Sequence, residues 1–143
     1  MGVYGIRELI PFFFYEGKNM KYYIADINED DGNFKTYHTF LFRAKNKRSA
    51  YKIHQYIVGT WYSEEHMQFD FSYESFCAEF SDTGVTKFIN EGRRTEIDKH
   101  TFDQIKKHFS TDLTPTSFET VESWLDRHLR YKKAWLKTDH GND

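Results

Sequence analysis

The side chains able to do chemistry are scattered along this chain rather than gathered in one motif. The densest acidic run is Asp26-Ile27-Asn28-Glu29-Asp30-Asp31-Gly32. An EF-hand calcium loop needs oxygen ligands at alternate positions, glycine at the sixth and a bidentate glutamate at the twelfth. Counted from Asp26, the sixth position is Asp31 and the twelfth is Tyr37. Both flanks read as strands, and Asp-Gly between strands is a hairpin signal. The run is expected to be a turn.

Seven histidines raise the question of a metal or a general base. His100 and His108 stand just over two helical turns apart, too far for joint ligation from one straight helix. Glu64, Glu65 and His66 are consecutive, so their side chains diverge in a helix or a strand. No His-Glu-x-x-His and no cysteine pair is present. The expectation is scattered surface histidines, with neither metal nor cofactor. Cys77, between Phe76 and Ala78, reads as a small hydrophobe in a short helix rather than as a nucleophile. No nucleophile elbow or phosphate-binding glycine loop appears either.

Two constellations remain. Arg43, Lys45, Lys47, Arg48 and Lys52 form a basic cluster where a strand passes into a helix, with Tyr22, Tyr23, Tyr37 and Phe40 nearby in sequence. Cations with aromatic stacking surfaces suit nucleic acid. Against this, Asp26, Glu29, Asp30 and Asp31 occupy the far end of the same hairpin, and the Gly-x-aromatic signature of sheet-based RNA readers is missing. The second constellation is Tyr22, Tyr23 and Tyr37 with Arg93 and Arg94, the last two in a polar stretch, Asn90 to Thr95, that reads as an exposed loop. Aromatics and arginine dominate protein interfaces.

The elements that must position these residues follow from composition and period. A chain of 143 residues fits one domain, taken as 1–143 with 138–143 as a loose tail. Aromatic residues make up 19% of it, more than a core alone obviously needs. The net charge of -2 gives no global pull toward nucleic acid or acidic lipid. A single cysteine cannot close an internal disulfide, no run reaches the ~20 apolar residues of a span, and the opening residues lack a secretion pattern. The expected address is cytoplasmic, away from membranes.

The pattern predicts an α+β fold: a three-stranded antiparallel meander over residues 9–43, then a helix near 46–62 packed on it. Its strands are the apolar runs 9–15, 20–27 and 34–43, separated by turn residues. Pro11 favours an edge position for the first. Asn46 can cap the helix, with Ala50, Ile53, Ile57 and Trp61 as its stripe and Arg48, Lys52 and Gln55 turned away. Met67 to Phe71 reads as a strand, Ser72 to Phe80 as a short helix ending near Gly84, and Val85 to Ile89 as a strand. Two C-terminal helices follow, near 98–109 capped by Asp98 and near 116–137 with Thr116 and Glu119 as a capping box.

The function this implies is a non-enzymatic protein-interaction module, a small regulator, inhibitor or accessory protein of a kind viruses also encode. Its partner is another protein or a second copy. Nucleic-acid binding through the basic cluster is the alternative, and a small enzyme without a recognisable motif the second alternative.

Overall fold

The computed structural model describes residues 20–62, 67–71, 76–109 and 111–128. The fold is α+β: a five-stranded antiparallel sheet with three helices. The strands are β1 (Lys21–Asp30), β2 (Lys35–Ala44), β3 (Met67–Phe71), β4 (Phe76–Asp82) and β5 (Val85–Ile97). The helices are α1 (Lys47–Gly59), α2 (Lys99–His108) and α3 (Phe118–His128). Spatial order is β2-β1-β5-β4-β3, so β1 has β2 on one side and β5 on the other. The run at 9–15 lies outside the described residues, and the free side of β1 where a meander would seat it is held by β5.

Local chemistry sets the hairpin and the helix starts. Between β1 and β2, Asp30 Oδ1 accepts from Gly32 N at 2.8 Å, and Asp31 Oδ1 accepts from Asn33 N and Phe34 N at 2.9 and 2.8 Å. Gly32 takes a φ of 95°, open to glycine at no steric cost. The acidic run is therefore a turn whose carboxylates bind its own backbone. Asn46 Oδ1 caps α1 through Ser49 N at 2.8 Å, and Asp98 Oδ1 caps α2 through Thr101 N at 2.7 Å.

The core lies between the sheet and α1. On that face β1 buries Tyr23, Ala25 and Ile27, β2 buries Phe40, Phe42 and Ala44, and β4 and β5 add Ala78 and Ile89. Helix α1 brings Ala50, Ile53, Ile57 and Val58, and α3 covers α1 with Val121, Trp124 and Leu125. Each of the larger aliphatic and Phe side chains among them, withdrawn from water, is worth about 1.5–3 kcal/mol. Because α1 lies between two layers, Lys52 and Gln55 are buried too, and Lys52 Nζ reaches Glu122 Oε1 at 2.8 Å. Trp124 crosses α1 at Gly59, where an added Cβ would stand 2.0 Å from the ring. Only glycine lets the helices approach so closely.

The opposite face is covered at one end only. Phe102 of α2 packs on Tyr22 at a ring separation of 5.1 Å. The segment after α2 lies along the outer edge of β2, with Leu41 N donating to Thr111 O at 2.9 Å and Leu113 N to Leu41 O at 2.8 Å. Leu41 is thereby sealed.

Three sequence expectations change. Residues 76–82 are strand β4, not helix, so Cys77 stands in a sheet opposite Asp70. The apolar stretch is too short for its period to separate the two structures, and the pairing with β5 decides. Asn90 to Thr95 is not an exposed loop but the middle of β5, with an irregularity that shifts the register between Ala25 and Ile27. There Gly92 and Arg93 together oppose Asp26, and a Cβ on Gly92 would meet Asp26 Cβ at 2.9 Å. Finally, His54 is not a surface histidine. It is fully buried under α1.

Candidate functional site

The bulge in β5 explains the buried histidine. Residues 91 and 94 of a regular strand face opposite sides. The extra residue turns both Glu91 and Arg94 beneath α1, where Arg94 stacks 4.3 Å above the Tyr51 ring. An arginine only donates, so the Arg94 Nη1 contact of 2.9 Å makes His54 Nδ1 an acceptor. His54 Nε2–H then donates to Asp26 O at 2.9 Å. Burial and the Arg94 charge push the His54 pKa down to about 3. This cluster clamps α1 to the sheet, and Arg94 is used up in it.

A second polar cluster sits where the chain leaves α1. Tyr62 OH donates to Glu29 Oε1, His38 Nε2 donates to Glu29 Oε2 at 2.7 Å, and Lys87 Nζ stands 3.2 Å from Glu29 Oε1. The Tyr62 ring stacks on Phe80 at 4.4 Å, and the His38 ring lies 5.2 Å from Trp61. Burial raises the Glu29 carboxyl, but the bonds from Tyr62, His38 and Lys87 outweigh it and leave the pKa below its ordinary value. The same bonds, to Tyr62 and to Glu29, raise the Lys87 ammonium. A carboxylate so well satisfied makes a poor general base. Its evident work is to fasten residues 61 and 62 to the sheet.

On the other face, the hairpin end of the sheet is open. The register sets Tyr37, Asn28 and Asn90 in one row across β2, β1 and β5, and Lys35, Asp30 and Phe88 in the next. These side chains line a groove of about 190 Å³. Tyr37 and Phe88 rise from strands on either side of β1, roughly 12 Å apart at two strand spacings across and two residues along. Phe34 and Val85 flank the same end, and exposure is 73% for Phe34, 63% for Tyr37, 58% for Phe88 and 47% for Val85. Two hairpins thus present large apolar side chains at one end of the molecule. Such a patch on a folded surface commonly marks a site of contact.

The structure separates the residues expected from sequence to act together. Tyr23 is 4% exposed and stacks on Phe42, Tyr22 is half-buried under Phe102, and Tyr37 stands in the open. Arg93 projects into solvent, its Nε 3.8 Å from Asp26 Oδ2. In the basic cluster, Arg43 turns to Asp112 at 3.5 Å and Lys52 to Glu122, while Lys45, Lys47 and Arg48 are exposed. That cluster lies at the Ala44 end of β2, about 24 Å from Tyr37 by strand rise. Phe34, Val85 and Phe88 escaped the sequence reading. Phe88 had a signal: it adjoins Ile89 in a strand, so one of the two must face away from the core.

Among the described residues no group of three or more His, Cys, Asp or Glu is placed to hold a metal ion, and no helix is long and apolar enough to cross a membrane. Comparison with known proteins gives no matching family model, curated protein or solved structure, so the reading of the site rests on its own geometry.

Proposed function

We propose that this chain is a non-catalytic interaction module, a small regulator or accessory protein that binds a protein surface through the hairpin end of its sheet. The observation that carries this is the exposure of Tyr37 and Phe88 on either side of one groove, with Phe34 and Val85 exposed at the same hairpin end outside it. Exposed rings there add nothing to the core, and desolvating them against a partner is favourable by roughly 25 cal/mol per Å². Lys35 and Asp30 beside the groove offer both charge signs for orientation. The polar clusters around Glu29 and His54 are engaged in holding α1 and the residues after it, which supports a binding role over a catalytic one.

The test is partner capture from native extract by the wild type and by Phe88→Asp, with sizing by light scattering and the fold checked by circular dichroism. The proposal expects a partner, or a dimer, that the folded Phe88→Asp protein loses. It is overturned if the wild type stays monomeric and captures only what Phe88→Asp also captures. Binding of oligonucleotides at low salt that Lys47→Glu with Arg48→Glu abolishes would instead move the function to the basic end.

A further inference from the structure

The outer edge of β2 is covered only in part. Leu41 turns both its N–H and its C=O outward to Thr111 and Leu113, and Arg43 N donates outward to Thr114 Oγ1 at 2.9 Å. In an antiparallel pair, outward-facing residues alternate with those bonded inward. Lys35, Tyr37 and Thr39 therefore also point their N–H and C=O groups away from β1, and all three are exposed. Among the described residues nothing pairs with them. An open edge of this kind is a template for another strand.

We infer that the partner seated on this edge is a second copy of the chain, pairing β2 with β2 antiparallel about a two-fold axis through Tyr37. This rests on the hairpin-end reading above and names its partner. The axis sets Lys35 of each copy opposite Thr39 of the other and Tyr37 opposite Tyr37, using every open outward residue. The open stretch ends at the Asp31–Phe34 turn on one side and at the 111–113 segment on the other. The turn of one copy reaches that segment just as its strand ends, and exposed Phe34 arrives opposite Phe40, beside Leu113. Moving the axis toward Thr39 drives Lys35 against Leu41, whose outward groups are taken. Moving it toward Lys35 leaves Thr39 unpaired or sets two lysines opposite each other, which is repulsive. Charge agrees with the central register. Asp26 lies beside Thr39 on β1, so Lys35 of the second copy enters the row that holds the Asp26 carboxylate. The two sheets would join into one, with the pair of Tyr37 rings beside both grooves.

The register is read by cross-linking in a Cys77→Ser background, which removes the only native cysteine. Opposed residues of a hydrogen-bonded antiparallel pair have Cα atoms about 5.5 Å apart, inside the roughly 4.4–6.8 Å span of a disulfide. Tyr37→Cys alone should oxidise to a covalent dimer. Thr39→Cys alone and Lys35→Cys alone should not, while their mixture should. Sedimentation of the wild type should show mass rising with concentration from 17.3 kDa toward twice that value. A chain that stays monomeric while Tyr37→Cys, folded by circular dichroism, fails to cross-link overturns self-pairing. Equal cross-linking of Thr39→Cys alone overturns the register. If self-pairing fails but a different protein is captured and lost with Phe88→Asp, the interaction reading stands without this partner. If both fail, the hairpin end is not a binding site.

Discussion

The two halves of β2 belong to one continuous strand, yet the molecule treats them in opposite ways. From Phe40 to Ala44 the strand is covered on one face by α1 and along its edge by 111–113, and Leu41 on the other face is fully buried. From Lys35 to Thr39 it is exposed, with only His38 partly covered. The covered half holds the buried core, and the open half exposes the Tyr37 ring while His38 alone reaches the Glu29 cluster. A strand whose second half is closed so thoroughly gives the first half a rigid mount. Substitution at the open end should cost the fold little, because the buried core lies at the other.

Substitutions at the two ends should separate accordingly. The largest effect is expected from Phe42→Ala, which empties a fully buried site stacked on Tyr23 and should cost about 3–5 kcal/mol. Urea unfolding checks this, and a loss under about 1 kcal/mol would contradict the closed half as drawn.

Acid should act next, through His54. In the unfolded chain this imidazole protonates near its ordinary value of 6.5, but in the folded chain it stays neutral down to about 3. Between those values the unfolded state binds the extra proton, so stability falls as pH falls, by up to about 1.4 kcal/mol per pH unit. Between pH 6.5 and about 5 the urea midpoint should therefore drop. His54→Leu should be less stable at neutral pH yet flatter across that window, and an equally steep response would show that another group titrates.

The Glu29 clip is a smaller term nearer the open end. Its carboxyl lies below the ordinary value of 4.5, so its contribution is present above that pH and lost as pH falls through the folded value. Glu29→Gln removes the charge that receives Tyr62, His38 and Lys87 and should cost roughly 1–3 kcal/mol at neutral pH. Measured against urea, its remaining acid loss below pH 4.5 should also be shallower than that of the wild type. The smallest effect belongs to the groove itself: Phe88→Ala should change stability by no more than about 0.5 kcal/mol. A large loss there would mean that the ring is part of the core and the surface is not free for a partner.

The parts legible in the sequence were those fixed by near neighbours. The Asp30 to Phe34 turn and the caps Asn46 and Asp98 each close their hydrogen bonds within two or three residues. Helix α3, expected near 116–137, is described from Phe118 to His128, with Ser117 Oγ accepting from Glu119 N at 3.2 Å. Residues 76–82 and 90–95 were illegible for one reason. Each becomes strand only because the other side of the sheet is there to pair with it. Tyr22, Tyr23 and Tyr37 are one residue type, and nothing in their spacing says which is sheltered.

The sequence alone determined an α+β chain with a hairpin at Asp31-Gly32, capped helices and more aromatic surface than its interior needed, because turns, caps and periodicity are written over a few residues. The tertiary structure alone decided which rings that surplus comprises. Alternation along a strand assigns side chains to two faces but cannot say whether a helix covers either one. Here α1 and the 111–113 segment cover the Ala44 end and stop short of Tyr37, so identical chemistry becomes core at one end of β2 and exposed surface at the other.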